Sequence, residues 1–112
     1  SIIDTIATDH APHTKEEKQQ DYNQAPSGCP GIEHSLSLML NYHHQGKISL
    51  ERIAELMCQN PGQIFNIKKR GEIKLGYFAD LVIIDLNLTK EIENSKLYTK
   101  SKWSLFLAQN SQ

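Results

Sequence analysis

Ser1-Ile2-Ile3-Asp4-Thr5-Ile6-Ala7-Thr8-Asp9-His10-Ala11-Pro12-His13 is the stretch on which the fold of this chain turns. Its first eight residues are dominated by Ile and Thr, whose branched side chains suit a pleated surface. Ser1 to Thr8 is therefore read as a buried strand ending at Asp9. The next segment is polar and punctuated. Pro12, Pro26, Gly28, Pro30 and Gly31 break residues 10–31 too often for one helix, leaving Lys15 to Gln20 for a single helical turn. A loop of that length in a compact domain is usually a functional lid or disordered.

Helical spacing takes over next. Ile32, Leu36, Leu38, Met39 and Leu40 predict a helix from Ile32 to His44, stopped by Gly46. Ser49 suits the N-cap of a second helix, Leu50 to Gln59, with Ile53, Leu56 and Met57 on its inner face. Asn60-Pro61 predicts a third, short helix, Asn as its cap and Pro at a first position that needs no N–H. It carries Ile64 and Phe65 and ends in Lys68-Lys69-Arg70-Gly71. Glu72 to Leu75 and Asp80 to Asp85 read as strands about a turn at Gly76-Tyr77. From Leu86 onward apolar residues are scattered (Leu97, Tyr98, Trp103, Leu105, Phe106), and Leu107 to Gln112 follow no pattern.

One strand, a long loop and three helices make the closing unit of an α/β barrel, and the β segment after them belongs to something else. The expected division runs between residues 67 and 68: barrel before it, part of a small β domain after it. A complete barrel takes ~250 residues, so 112 residues are expected to be a piece of one that starts in mid-fold at Ser1 rather than at Met.

Composition narrows the function. Twelve Lys+Arg against 13 Asp+Glu leave no basic footprint for nucleic acid or an anionic membrane. No apolar run approaches the ~18 residues of a membrane span, and the N-terminus lacks a signal pattern. The hydrophobic fraction of 38% is low against the roughly 45–50% usual with Gly included, as expected of a chain that buries surface against something else. Cys29 and Cys58 have no CxxC spacing and predict a reduced, cytoplasmic protein with two incidental thiols.

The chemistry lies in Asp9 to His13. A carboxylate at the C-terminal end of a barrel strand sits on the face where such barrels place their active sites. An Asp there can bind a divalent metal through oxygen and take a proton from a metal-bound water. His10 and His13 add donors that could orient the carboxylate or hold an anionic substrate, and Pro12 stiffens the turn between them. Taken singly, an Asp at a strand end often caps the next element and a loop His is more often solvated. The run as a whole, with the loop behind it, outweighs that.

Two motifs carry a resemblance to a known family. Ile6-Ala7-Thr8-Asp9-His10-Ala11-Pro12-His13, Glu16-Glu17-Lys18 and Ala25-Pro26-Ser27-Gly28-Cys29-Pro30-Gly31-Ile32-Glu33 together resemble the eighth-strand signature of the dihydroorotases, most closely the bacterial and archaeal type-I form. Asn60-Pro61, then Gly71-x-Ile73-x-x-Gly76-x-x-Ala79-Asp80-Leu81-Val82, is similar to the end of the barrel and its return into the small composite β domain across amidohydrolases. The resemblance implies the C-terminal part of an amidohydrolase TIM (β/α)8 barrel, followed by a segment of that composite domain. It implies Asp9 as the metal-associated catalytic aspartate, His13 as the histidine holding the substrate's carboxylate, and Ser27-Gly28 as the pair whose backbone lines the substrate pocket. His10 is expected to act through its neighbours rather than as a ligand. Many relatives carry Phe where Ser27 stands, and Trp103 and Phe106 resemble a C-terminal W-S-P-F stretch in which Leu105 here replaces Pro.

The activity so implied is zinc-dependent, reversible hydrolysis of the cyclic amide of (S)-dihydroorotate to N-carbamoyl-L-aspartate in pyrimidine synthesis, with one or two Zn²⁺ per site. A His-x-His pair, a carboxylated lysine and two further histidines would come from the remainder of the barrel, so the 112 residues alone are expected to be inactive. A homodimer and association with aspartate transcarbamoylase are the protein partners implied. Two rivals are a hydantoinase- or allantoinase-type cyclic amidohydrolase and a non-catalytic dihydroorotase-like scaffold for aspartate transcarbamoylase. His13 speaks against the first, whose substrates lack the same carboxylate. Retention of Asp9 and His13 speaks against the second. The remaining candidates are assigned bland roles. His43 and His44 are expected to meet a helix dipole, His34 to lie on the helix surface, Lys68-Lys69-Arg70 to be a solvated terminus, and Lys15 to Lys18 to form the outer side of the loop.

Overall fold

A computed structural model describes residues 2–106; Ser1 of the expected first strand and the patternless Leu107 to Gln112 lie outside the described residues. The chain forms two units. One takes in the residues up to Ala7 and Met39–Leu86, the other Thr8–Leu38 and the chain from Asn87.

In the first unit the helices follow the local signals closely. Helix α2 (Ser35–His44) enters it at Met39 and is stopped at Gly46, whose φ of 70° no helix continues through. Helix α3 (Leu50–Ala54) starts where Ser49 Oγ accepts the Arg52 N–H at 3.1 Å, the expected cap. Ile53 and Leu56 are buried, as the inner face requires.

Asn60 does not cap a new helix. It adopts helical angles (φ −63°, ψ −45°), and the chain runs from α3 through a π turn, Glu55–Gln59, directly into α4 (Asn60–Ile64). Within an unbroken α-helix Pro61 would offer no N–H and would press its ring on the carbonyl four residues back. The π turn widens the helix just ahead of it, with the Asn60 N–H reaching Glu55 O. The freed Asn60 side chain donates to the Asp4 carbonyl at 2.7 Å, while Ile6 N donates to Leu56 O at 3.2 Å and an Arg52 guanidinium N–H to Ile3 O at 2.7 Å. These bonds lay the first residues along the helices.

No strand forms among the described residues; the single ladder contact is an isolated parallel bridge between His10 and Cys29. The segments expected as strands, Ile2 to Thr8, Glu72 to Leu75 and Asp80 to Asp85, are without regular structure. A strand exists through the ladder it makes with a neighbour, and no described residue offers these segments one. Their side chains show the consequence: Ile2, Ile73, Leu75 and Ile83 are almost fully exposed. Gly71 (φ 87°) turns the chain back against the π turn so closely that a Cβ there would stand 2.7 Å from Cys58 O. Arg70 pairs with Asp80 at 2.5 Å and stacks over Phe78, and the basic run is otherwise exposed as expected. His43 Nδ1 donates to Ile48 O at 2.9 Å and His44 Nε2 to Leu86 O at 2.8 Å, so both histidines are used structurally. No helix among the described residues is long and apolar enough to cross a membrane.

The second unit is mostly loop. Helix α1 (Lys15–Lys18) is opened by a capping box: Thr14 Oγ1 accepts the Glu17 N–H at 3.2 Å, and Glu17 Oε2 accepts the Thr14 N–H at 2.7 Å. A 3₁₀ turn, Ile32–His34, leads into α2, and another, Asn94–Lys96, precedes the tail. Among its described residues Leu97, Ser104 and Pro30 are buried.

Candidate active site

The loop of residues 10–31 is closed by its own ends. Ala11 N donates to Cys29 O at 3.1 Å across the His10–Cys29 bridge. His10 Nδ1 accepts the N–H of Gly31 at 3.1 Å and of Ile32 at 3.3 Å. A neutral imidazole that accepts at Nδ1 carries its proton on Nε2. His10 thus caps the turn leading into α2.

This closure brings two of the expected site segments together. Gly28 (φ 106°) lies against Ala11, where a Cβ would come within 2.5 Å of the Ala11 Cβ. Only glycine allows both the angle and the approach. Ser27 and Gly28 are exposed beside the Asp9–His13 run. Lys18, read from sequence as outer surface, is half-buried instead and donates to Pro26 O at 2.7 Å, tying α1 to the returning limb.

Asp9 sits at φ 45°, a left-handed conformation that Asp visits more readily than most side chains. Its carboxylate is exposed and makes no hydrogen bond to another described residue. His13 is half-buried; its Nδ1 lies 3.7 Å from Glu17 Oε2, and its carbonyl O accepts the Trp103 indole N–H at 2.6 Å. The Thr14 backbone N–H and, to a lesser degree, the Thr14 hydroxyl and His13 hold the Glu17 carboxyl below its usual range.

Two neighbours of the loop were given no role at the site from sequence. Glu33 accepts the backbone N–H groups of Tyr98 (3.1 Å) and Thr99 (3.3 Å). Partial burial pushes the Glu33 carboxyl up, but those two N–H groups, with His34 and Lys102 nearby, outweigh it and hold the carboxyl below its ordinary 4.5. His34, expected on the helix surface, is half-buried and meets the Phe106 ring edge-on at 6.4 Å. Trp103 is the other. Its W-S-x-F setting marked it in the sequence, but no local rule relates an indole to a carbonyl ninety residues earlier.

Between these groups, His10, Glu33, His34, Thr99, Trp103 and Ser104 line a recess with about room for one water, too small for an organic ligand. Among the described residues no three His, Cys, Asp or Glu side chains come together as a metal site, and both cysteines are free.

The chain is similar to proteins named dihydroorotase: 42% identical over 104 residues in Halobacterium salinarum, 43% over 104 in Methanosphaera stadtmanae and 44% over 106 in Endomicrobium trichonymphae. These alignments cover 93%, 93% and 94% of the chain but 25%, 24% and 25% of the relatives, so the chain spans about a quarter of their length. The model of the amidohydrolase family matches residues 1–105, from the first residues through the loop and helices to the Trp103 segment, and the chain belongs to that family.

Proposed function

We propose that this chain carries the strand-8 end, active-site loop and closing helices of a dihydroorotase, with residues 1–67 belonging to the barrel and residues 68–112 to the composite β domain. The amidohydrolase family is built on the TIM barrel. The observation that carries the reading is the closure of the loop, which holds Ser27-Gly28 against Ala11 beside Asp9 and His13, in a chain more than 40% identical to dihydroorotases.

In this reading Asp9 is the proton carrier. Its exposed carboxylate accepts a proton from the attacking water as the new C–O bond forms at the ring carbonyl. It returns the proton to the ring nitrogen as the C–N bond breaks. General acid–base help of this kind contributes on the order of 10²–10⁴-fold. His13 binds the substrate's carboxylate and so orients the ring, Ser27 and Gly28 present backbone to it, and the loop around α1 excludes water. A left-handed aspartate is a small store of backbone strain of the sort found at such sites.

The family is generally metal-dependent, and zinc is the metal proposed. The described residues do not make a zinc site by themselves: Asp9 stands without two further ligands, and a catalytic zinc generally takes three from protein. Asp9 is proposed as one ligand, the others coming from the rest of the parent protein. Two unpaired thiols suit a reducing compartment, and a cytoplasmic location belongs to the proposal, as do a homodimer and association with aspartate transcarbamoylase.

The test is kinetic, on the full-length parent protein. Asp9→Ala should remove ~10²-fold or more of turnover, while His13→Ala should mainly raise KM for dihydroorotate. An Asp9→Ala enzyme at near-normal rate would overturn the assignment. The 112-residue chain, given zinc and dihydroorotate, should stay at the metal blank.

A further inference from the structure

The tail from Leu97 to Ser104 has no part in the proposed function, yet it touches the active-site loop at its most consequential residue. Trp103 Nε1–H donates to the carbonyl oxygen of His13 at 2.6 Å across ninety residues of sequence. The segment that carries the indole is fastened twice more. Glu33, just after the loop, receives the N–H groups of Tyr98 and Thr99, and Lys102 Nζ closes the segment on itself by donating to Leu97 O at 2.7 Å. Leu97 and Ser104 at its two ends are 4% and 5% exposed. An exposed random tail would show none of this.

We infer that Trp103 is a positioning residue for His13, held in place by a strap, residues 97–104, that Glu33 latches to the far end of the same loop. The physical reason is lever-like. The direction of an imidazole is set by its backbone, and His13 lies in a loop with only the four-residue α1 behind it. A bond to its carbonyl fixes the peptide plane after His13 and with it the range its ring can sweep. Binding a carboxylate in one orientation needs the receiving group held to within a fraction of an ångström. The strap supplies from the tail the rigidity that the loop lacks. This inference rests on the proposed function in one respect, that His13 holds the substrate's carboxylate.

A double-mutant cycle in the full-length protein tests it. Trp103→Phe keeps an aromatic ring, though a smaller one, and removes the donor; a lost hydrogen bond of ordinary strength corresponds to a KM about 3- to 10-fold higher, with a smaller change in kcat. In a His13→Ala background the same substitution should change KM less than about twofold, since the group it positions is gone. Glu33→Gln, which weakens the latch without touching Trp103, should act in the same direction and serves if Trp103→Phe folds poorly. Equal effects of Trp103→Phe with and without His13, or no effect in either, would overturn the inference. Should His13→Ala itself leave KM unchanged, it is the proposed role of His13 that falls. Hydrogen exchange over residues 13–18 then decides the strap alone: faster exchange in Trp103→Phe supports it and unchanged exchange refutes it.

Discussion

His10 Nδ1 accepts the backbone N–H of Gly31 at 3.1 Å, so the residue beside the candidate catalytic aspartate caps the start of the helical segment twenty-one residues later. Ile32 N shares the same acceptor at 3.3 Å. Removing it leaves two N–H groups at a helix entrance without a partner. His10→Ala should cost about 1–2 kcal/mol of stability and speed amide exchange at Gly31 and Ile32. His10→Asn, whose side-chain oxygen can stand near the old Nδ1, should recover part of both. Unchanged exchange at those two amides in His10→Ala would contradict the cap.

Gly28 and Gly46 form a matched pair for separating conformational strain from crowding. Both have positive φ, 106° and 70°, but a Cβ at Gly28 would meet Ala11 at 2.5 Å whereas one at Gly46 would meet nothing within 4 Å. Gly46→Ala should cost about 1 kcal/mol, the left-handed penalty alone. Gly28→Ala should cost more, about 2–3 kcal/mol, and should lower activity of the parent protein, because the two site segments must separate. Denaturant titration of both variants decides it; equal costs would mean that the close approach is not maintained in solution.

Leu56 and Ile83 mark the extremes of burial, at 5% and 98% exposed. In the 112-residue chain Leu56→Ala should destabilise by about 2–4 kcal/mol, and Ile83→Ala should stay within about 0.5 kcal/mol. In the parent protein Ile83→Ala should become costly if Asp80 to Asp85 finds its sheet there. Comparing the variant's effect in the two settings measures how much of the apolar exposure is waiting for a partner.

Glu33 ties the tail to the helix through a carboxylate, so the tie depends on pH. Because its folded carboxyl is held below the ordinary 4.5, its contribution is present above that value and is lost as pH falls through the lowered one. Trp103 is the chain's one tryptophan and reports the tail directly. Its emission should show a step as pH falls below about 4.5 that Glu33→Gln lacks. In Glu33→Gln it should already be displaced at neutral pH. Superimposable profiles for the two proteins would rule out the latch.

The helical turn inside the loop and much of the helical segment after it were legible in order. Ser49 as a cap, the helical turn at Lys15 and the stop at Gly46 depend on neighbours within four residues, and such signals survive in any context. Asn60 misled because the same local rule, Asn before Pro, describes a helix start and also a helix that continues through a π turn. The alternative is chosen by what Asn60 can reach, here the Asp4 carbonyl. The strands failed for a different reason. Ile-rich segments state a preference for a sheet, but the hydrogen bonds that make one belong to another segment.

By itself, then, the order of residues determined where most helical segments lie, the Ser49 cap and the family, and it nominated the groups proposed to do chemistry: Asp9, His13, Ser27-Gly28 and His10. Only the tertiary structure decided that His10 spends its Nδ1 on Gly31, that Gly28 must be bare to lie on Ala11, and that Glu33 and Trp103 bind the tail to the loop. Those contacts join residues from seventeen to ninety positions apart. Their worth comes from geometry and desolvation at the meeting point, quantities that no stretch of chain carries until it has folded.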